Sequence, residues 1–258
     1  MKMRFGKLFL ATLVMFFALC HNCVNAAQKP IEVECEVQDG SIITGNIFYP
    51  EEKKASYSTL VLLHSLGYNS SRWEDFAISL ADRGYAVITI DFRGHGRSVY
   101  TSKLARQSWT NYKREVFQKY PDDILSILKS IREEYRNLSF DDWGIVGADI
   151  GANTAILVAE KAKIKPKTLV ILSPHEAHKG LFIPIAIVDM GKIPVLSISS
   201  IGDRTSVEAQ KNLKKYAQDE FEIKNFKTNT SGMLMINANP EVPELIINWL
   251  ESKVAIYE

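Results

Sequence analysis

Residues 144–153 read GIVGADIGAN, and the reading of this stretch decides the fold. The run WGIVGA (143–148) has the length and apolar character of a buried strand, and an alanine-rich helical segment follows over 150–162. Strand and helix are separated by almost nothing, so the turn between them is sharp. Gly147 and Gly151 bracket that turn, and the absence of a Cβ at both lets the two backbones pass closely. The residue at the apex is Asp149.

The same alternation extends in both directions. TLVLLH (59–64), AVITID (86–91), TLVILS (168–173), PVLSISS (194–200) and FEIKNF (221–226) are further strand-length runs. The spacing predicts a helix over 71–84, with Trp73, Phe76, Ala77 and Leu80 on one face, Ser71 as its cap and Gly84 at its end. Other helices are predicted over 122–135 (Ile124, Leu128 and Ile131 inward) and 206–218, where Lys211, Lys214 and Lys215 face solvent. A last helix starts at Pro243, with Leu245, Ile246, Trp249 and Leu250 inward. Near the start, IEVECEV and IITGNIFYP flank the turn QDGS and predict a β-hairpin. The expected fold class is therefore α/β: a mostly parallel central sheet with helices on both faces and an antiparallel N-terminal hairpin. In such sheets ligands bind beyond the carboxyl ends of the strands. The loops after His64, Asp91, Ala148, Ser173, Ser200 and Phe226 then share one edge.

The 258 residues are 46% apolar and 24% charged, enough for one large core, and contain no internal repeat or low-complexity linker. Residues 1–26 stand apart. Lys2, Arg4 and Lys7 precede the apolar run LFLATLVMFFALC (8–20), and the small residues Val24 and Ala26 occupy the positions a signal peptidase requires. The run is short for a spanning helix, which needs about 20 apolar residues, and Leu19 is too large to precede a lipidated Cys20. The expectation is a cleaved secretory signal, a single domain over 27–258, and an exported protein, periplasmic or secreted, with no stable membrane insertion. Losing the three basic residues of the signal leaves 28 basic against 30 acidic residues, which excludes a basic nucleic-acid-binding surface. Cys20 and Cys23 leave with the signal. The remaining Cys35 has no partner for an internal disulfide and alternates with Val33 and Val37 as a small strand residue.

Several segments, in order, resemble the α/β-hydrolase superfamily. HSLG (64–67) resembles the loop after the third strand that shapes the oxyanion hole, and DFRGHGRS (91–98) a stretch common in that superfamily. GADIG (147–151) fits G-x-S-x-G with its middle residue changed. SIGD (200–203) follows a strand where the family places its acid. NTSGMLM (229–235) sits where a histidine followed by glycine is usual. Together with SPHEAHKG (173–180), these are similar to small bacterial members without a large cap: esterases, dienelactone hydrolases and serine aminopeptidases. The resemblance spans roughly residues 31–252.

It implies a triad at Asp149, Ser231 and Asp203, in the places of nucleophile, base and acid, with two of the three replaced. Oxyanion donors are implied at the Ile150 N–H and at the loop of His64, Ser65 and Leu66, so the anion-binding half of the machinery is expected to remain. A carboxylate can attack an alkyl carbon, as in dehalogenases and epoxide hydrolases of this fold, but a histidine must then drive water onto the ester. Serine at 231 cannot do so. His175 is the best candidate for a relocated base, while His64 and His95 read as loop-shaping residues. Asp149 and Asp203 are expected either to share a proton or to hold a weakly bound cation. His175 and His178 have metal-ligand spacing, but no third ligand is evident in sequence, so no metal and no cofactor are assigned. Residues 99–120, with five aromatic residues among basic ones, read either as a surface amphipathic helix or as a cover for the pocket. Three functions stay open: a catalytically impaired hydrolase fold that binds a small-molecule ligand, an active hydrolase of small acyl esters or epoxides using Asp149, and a structural or partner-binding envelope protein.

Overall fold

Alternate side chains of the strands point to opposite faces of the sheet, and that period sorts the core into two layers. The computed structural model describes residues 29–257; the expected secretory signal lies outside them. In chain order the strands are β1 (Ile31–Glu36), β2 (Ile42–Phe48), β3 (Tyr57–Leu63), β4 (Ala86–Asp91), β5 (Leu138–Ala148), β6 (Thr168–Leu172), the short β7 (Ala177–His178) and β8 (Leu181–Phe182), β9 (Val195–Ser200) and β10 (Phe221–Phe226). The helices are α1 (Glu74–Ala81), α2 (Arg114–Phe117), α3 (Tyr120–Glu134), α4 (Ile150–Lys161), α5 (Ala186–Asp189), α6 (Arg204–Tyr216), α7 (Leu234–Ala238) and α8 (Glu241–Lys253).

Eight strands form one sheet in the order β1-β2-β4-β3-β5-β6-β9-β10. The pairs β1–β2 and β2–β4 are antiparallel and every later pair is parallel. Val61 and Leu63 face one layer with Ile124, Ile127 and Ile131 of α3 and Ala155 and Ile156 of α4. Leu60 and Leu62 face the other with Phe76 and Leu80 of α1 and Ile246 and Leu250 of α8. Both faces are covered, which is why β3 and β4 are buried along their whole length. From β3 the chain moves to β4 on one side, then returns to β5 on the other. The crevice at this reversal is flanked by the loop after β3 and the turn after β5.

The expected α/β architecture and hairpin are present, with shifted boundaries. Helix α1 is preceded by a 3-10 turn, Ser70–Trp73, and Asn69 rather than Ser71 caps it, accepting from the Ser71 N–H at 3.1 Å. Helix α8 starts at Glu241, before Pro243, because a proline in the first helical turn removes an N–H that has no intrahelical acceptor. Residues 99–120 are not a continuous amphipathic helix. They form isolated bridges, a 3-10 turn at Trp109–Asn111 and the single turn of α2, since Trp109 and Tyr112 turn inward against the core. The segment after Ser173, expected as a loop at the ligand edge, carries the β7–β8 hairpin. Lys179 (φ 49°) and Gly180 (φ 93°) form its turn, with the pair of positive φ values that a type I′ turn needs.

Candidate functional site at the Asp149 elbow

Asp149 has φ 54° and ψ −115°, a strained conformation for a residue with a side chain. Such a residue costs on the order of 1–3 kcal/mol and persists only where its surroundings over-determine it. Here they do. A Cβ on Gly147 would collide with the Gly151 carbonyl, and one on Gly151 with the Leu63 carbonyl. The Asp149 N–H donates to the Leu172 carbonyl at 2.8 Å. Strand β5 and helix α4 are thus clamped, and Asp149 projects from the apex.

Of the two N–H groups expected as oxyanion donors, that of Leu66 is engaged by the protein's own carboxylate. The Leu66 N–H donates to Asp149 Oδ2 at 3.0 Å, while the Ile150 N–H at the start of α4 makes no hydrogen bond to this carboxylate but helps keep it charged. The longer aspartate side chain at the apex reaches the loop after β3, where the resemblance places the hole. Burial raises the Asp149 pKa, but the adjacent His175 imidazole, the charge of His178 and the Leu66 and Ile150 N–H groups outweigh it. The carboxyl is held below its ordinary range. Asp203, expected to share a proton or a cation with Asp149, instead turns its carboxylate to Ser206 at the start of α6.

Two imidazoles cover the other oxygen. His175 Nε2 lies 3.4 Å and His178 Nε2 3.5 Å from Asp149 Oδ1. The rings stack with centroids 4.9 Å apart and planes 19° from parallel. The carboxylate raises the His175 pKa, while burial lowers that of His178. Asn153, fully buried in α4, fixes the backbone of the segment that carries both rings. Its Oδ1 accepts the His175 N–H at 3.1 Å, and its Nδ2 donates to the carbonyls of His175 at 2.8 Å and Leu181 at 3.0 Å. Asp149, His175 and His178 are a group whose ligand atoms lie within 4.8 Å of one another. The fold therefore supplies the third ligand that the spacing of the histidines alone did not reveal. His178 and Asn153 were absent from the expected site. The pairing of two histidines three apart, and a lone asparagine in an alanine-rich helix, were the available signals.

The remaining expected residues take other places. Asp203 caps α6, accepting from the Ser206 N–H at 3.1 Å and the Ser206 hydroxyl at 2.8 Å, and its charge reaches His175. Ser231 is exposed, whereas its neighbour Gly232 (φ 57°) abuts the elbow: a Cβ there would lie 2.5 Å from Ser65 Oγ. The Gly232 N–H donates to Ser173 Oγ at 2.8 Å and the Met233 N–H to Ser65 Oγ at 3.1 Å, which closes this loop onto the one after β3. His64 is buried. Its Nε2 accepts the Phe92 N–H at 3.0 Å, which leaves Nδ1 to donate to the Ser65 carbonyl at 2.8 Å. His95 Nε2 accepts the Gly67 N–H at 3.2 Å, and the ring stacks on Trp109. Both therefore shape the oxyanion loop. Beyond Gly67 a polar cleft of about 540 Å³ opens between Tyr68, His95, Gln107 and Trp109.

A doubly covered, mostly parallel sheet with a strained strand-to-helix elbow, facing donors from the loop after β3, defines an α/β-hydrolase. Residues 54–238 match the serine aminopeptidase (S33) family, and the chain belongs to that family. It is 27% identical over 138 residues to a serine hydrolase-like protein of Dictyostelium discoideum and 26% identical over 139 residues to a hydrolase of a Fusarium species. These matches cover 54% and 52% of this chain but only 33% and 31% of those proteins. The chain thus spans about a third of the length of the curated relatives it matches. Among solved structures it superposes on an acylaminoacyl peptidase of Pyrococcus horikoshii with TM-score 0.70 and 16% identity, over 89% of this chain and 42% of that one. A dienelactone hydrolase of Anabaena variabilis superposes with TM-score 0.67 and 17% identity, over 88% of this chain and 98% of that one. At these identities the likeness is one of fold. Among the described residues no helix is long and apolar enough to cross a membrane.

Proposed function

We propose that this chain is an exported member of the hydrolase family that does not carry out acyl transfer and keeps its fold to bind a small polar ligand. One observation carries the reading: the Asp149 carboxylate takes the Leu66 N–H, one of the donors that an acyl-enzyme's oxyanion would need. A ground-state anion in the hole disfavours the charge that must develop there. Exposed Ser231 supports the same conclusion, since it offers no base. The cleft lined by Tyr68, His95 and Trp109 is the proposed ligand site, and the leader-like residues 1–26 support export.

The test is an assay of short-chain nitrophenyl esters on the native protein beside an Asp149→Ser/Ser231→His variant. A silent native protein and an active double variant support the reading. Native turnover abolished by Asp149→Asn refutes it. That outcome would establish the second reading, an Asp149-dependent hydrolase, which the approach of His175 to the carboxylate at 3.4 Å favours. Export is tested by N-terminal sequencing of the protein recovered from the periplasm or medium, where the chain should begin at Ala27.

A further inference from the structure

We propose that Asp149 Oδ1, His175 Nε2 and His178 Nε2 form a binding site for one divalent transition-metal ion of the zinc type. Both imidazole nitrogens converge on a single carboxylate oxygen, at 3.4 and 3.5 Å. Those separations are long for charge-assisted hydrogen bonds, which run at about 2.7–2.9 Å. They match the edge of a coordination tetrahedron: bonds of about 2.0–2.1 Å at tetrahedral angles place neighbouring ligand atoms about 3.3–3.4 Å apart. His178 Nε2 is the independent sign. It is shielded from solvent and has no hydrogen-bond partner, an arrangement that leaves a donor or lone pair unsatisfied.

The surroundings hold these ligands as a metal site requires. Asp149 is fixed by its backbone strain and by the Leu66 N–H on its second oxygen. His175 is fixed at its own N–H and carbonyl by buried Asn153, and His178 by the β7–β8 pairing, with the facing Leu181 carbonyl on the same asparagine. These contacts hold in place the backbone that carries the two imidazoles. The local charge also suits a cation. The carboxylate offsets the positive end of α4 and Asp203 lies within electrostatic reach of His175, against the opposing charge of Lys179 felt at His178. Two nitrogens and one oxygen suit zinc and its neighbours rather than calcium or magnesium, which prefer oxygen alone. Three protein ligands leave a fourth position for water or a small anion. Metal binding does not depend on whether the chain turns over an ester.

The experiment is calorimetric titration of the chelator-stripped full chain with zinc chloride, with cobalt(II) absorption in the visible as a second readout. Because leader thiols also bind zinc, the titration is repeated in a Cys20→Ser/Cys23→Ser/Cys35→Ser background. One equivalent of zinc should bind in both, with tetrahedral cobalt bands. His175→Ala, His178→Ala and Asp149→Asn should each weaken binding at least about tenfold. Circular dichroism and thermal unfolding of each variant establish that it is folded. The hairpin histidines are the variants of choice if Asp149→Asn is not folded. Absence of zinc binding in the thiol-free chain, or binding unchanged in the folded histidine variants, overturns the proposal.

Discussion

Replacing Asp149 by glycine should convert the elbow from a self-occupied anion site into an open one. In the native protein any incoming oxyanion meets a carboxylate already bonded to the Leu66 N–H at 3.0 Å. An anion approaching to about 4 Å is repelled by about 4 kcal/mol at an effective dielectric constant near 20. That is about a thousandfold in affinity, at roughly 1.4 kcal/mol per factor of ten. Glycine removes the charge and also fits the backbone: φ 54° strains a residue with a Cβ but not glycine. The two donors, the α4 N-terminus and the adjacent His175 then face an empty space. Phenylphosphonate titrated by calorimetry in the presence of EDTA is a direct assay, because the chelator removes any metal contribution. The native protein should give no measurable heat at millimolar ligand, and Asp149→Gly should bind at least a hundredfold more tightly. Equal affinity in the two proteins, with the variant folded, would refute the claim that the carboxylate fills the hole.

Three further outcomes follow from the scaffold beneath the site. Arg93, 3% exposed, grips Asp123 through Nε and Nη2 at 2.5 Å each and Asp39 through Nη1 at 2.7 Å, so Arg93→Ala should cost about 3–5 kcal/mol in urea unfolding by stranding a buried carboxylate, while Arg93→Met/Asp123→Leu recovers most of it. Gly151→Ala should yield no folded protein by circular dichroism, since its Cβ meets the backbone carbonyls of Leu63 and His64 rather than a side chain that can move. Burial, reinforced by repulsion from His64, lowers the His95 pKa to about 3. The unfolded chain protonates first, near pH 6.5, so the stabilising contribution is present above that pH and is lost as pH falls towards 3, at about 1.4 kcal/mol per unit. His95→Gln should flatten the urea-midpoint profile over that window.

The parallel core was legible because it depends on local pattern: Thr59–Leu63, Ala86–Asp91 and Thr168–Leu172 are short apolar runs separated by helix-period segments, and the sheet period leaves few other solutions. The elbow was legible for the same reason, since Gly147 and Gly151 mark a close backbone approach whatever lies between them. Residues 99–120 were not, because Trp109 stacks on His95 and Gln107 bonds to Ser41, contacts set by chain segments remote in sequence. The His178 ring was missed on similar grounds. Its spacing from His175 was visible, but only the I′ turn at Lys179–Gly180 brings the second imidazole back over Asp149. The engaged oxyanion hole could not be read at all, since G-x-D-x-G states which residue occupies the apex and not which oxygen meets which N–H.

The elbow's strain bears on how this site should be understood. A turn that had merely lost its serine has no need of a side chain at φ 54°, and glycine would remove a cost on the order of 1–3 kcal/mol. Aspartate at that position is tolerable because its carboxylate accepts the Leu66 N–H, a hydrogen bond to a charged acceptor that contributes about 1.5–3 kcal/mol. The strain is thus offset at a donor that the family resemblance assigns to an oxyanion. That same hydrogen bonding fixes Oδ2 and leaves Oδ1 directed at His175 and His178. The carboxylate closes one function of the fold with one oxygen and presents the other to two imidazoles. A search for this chain's chemistry should therefore begin from Oδ1 and its two imidazoles, with ester turnover as the control.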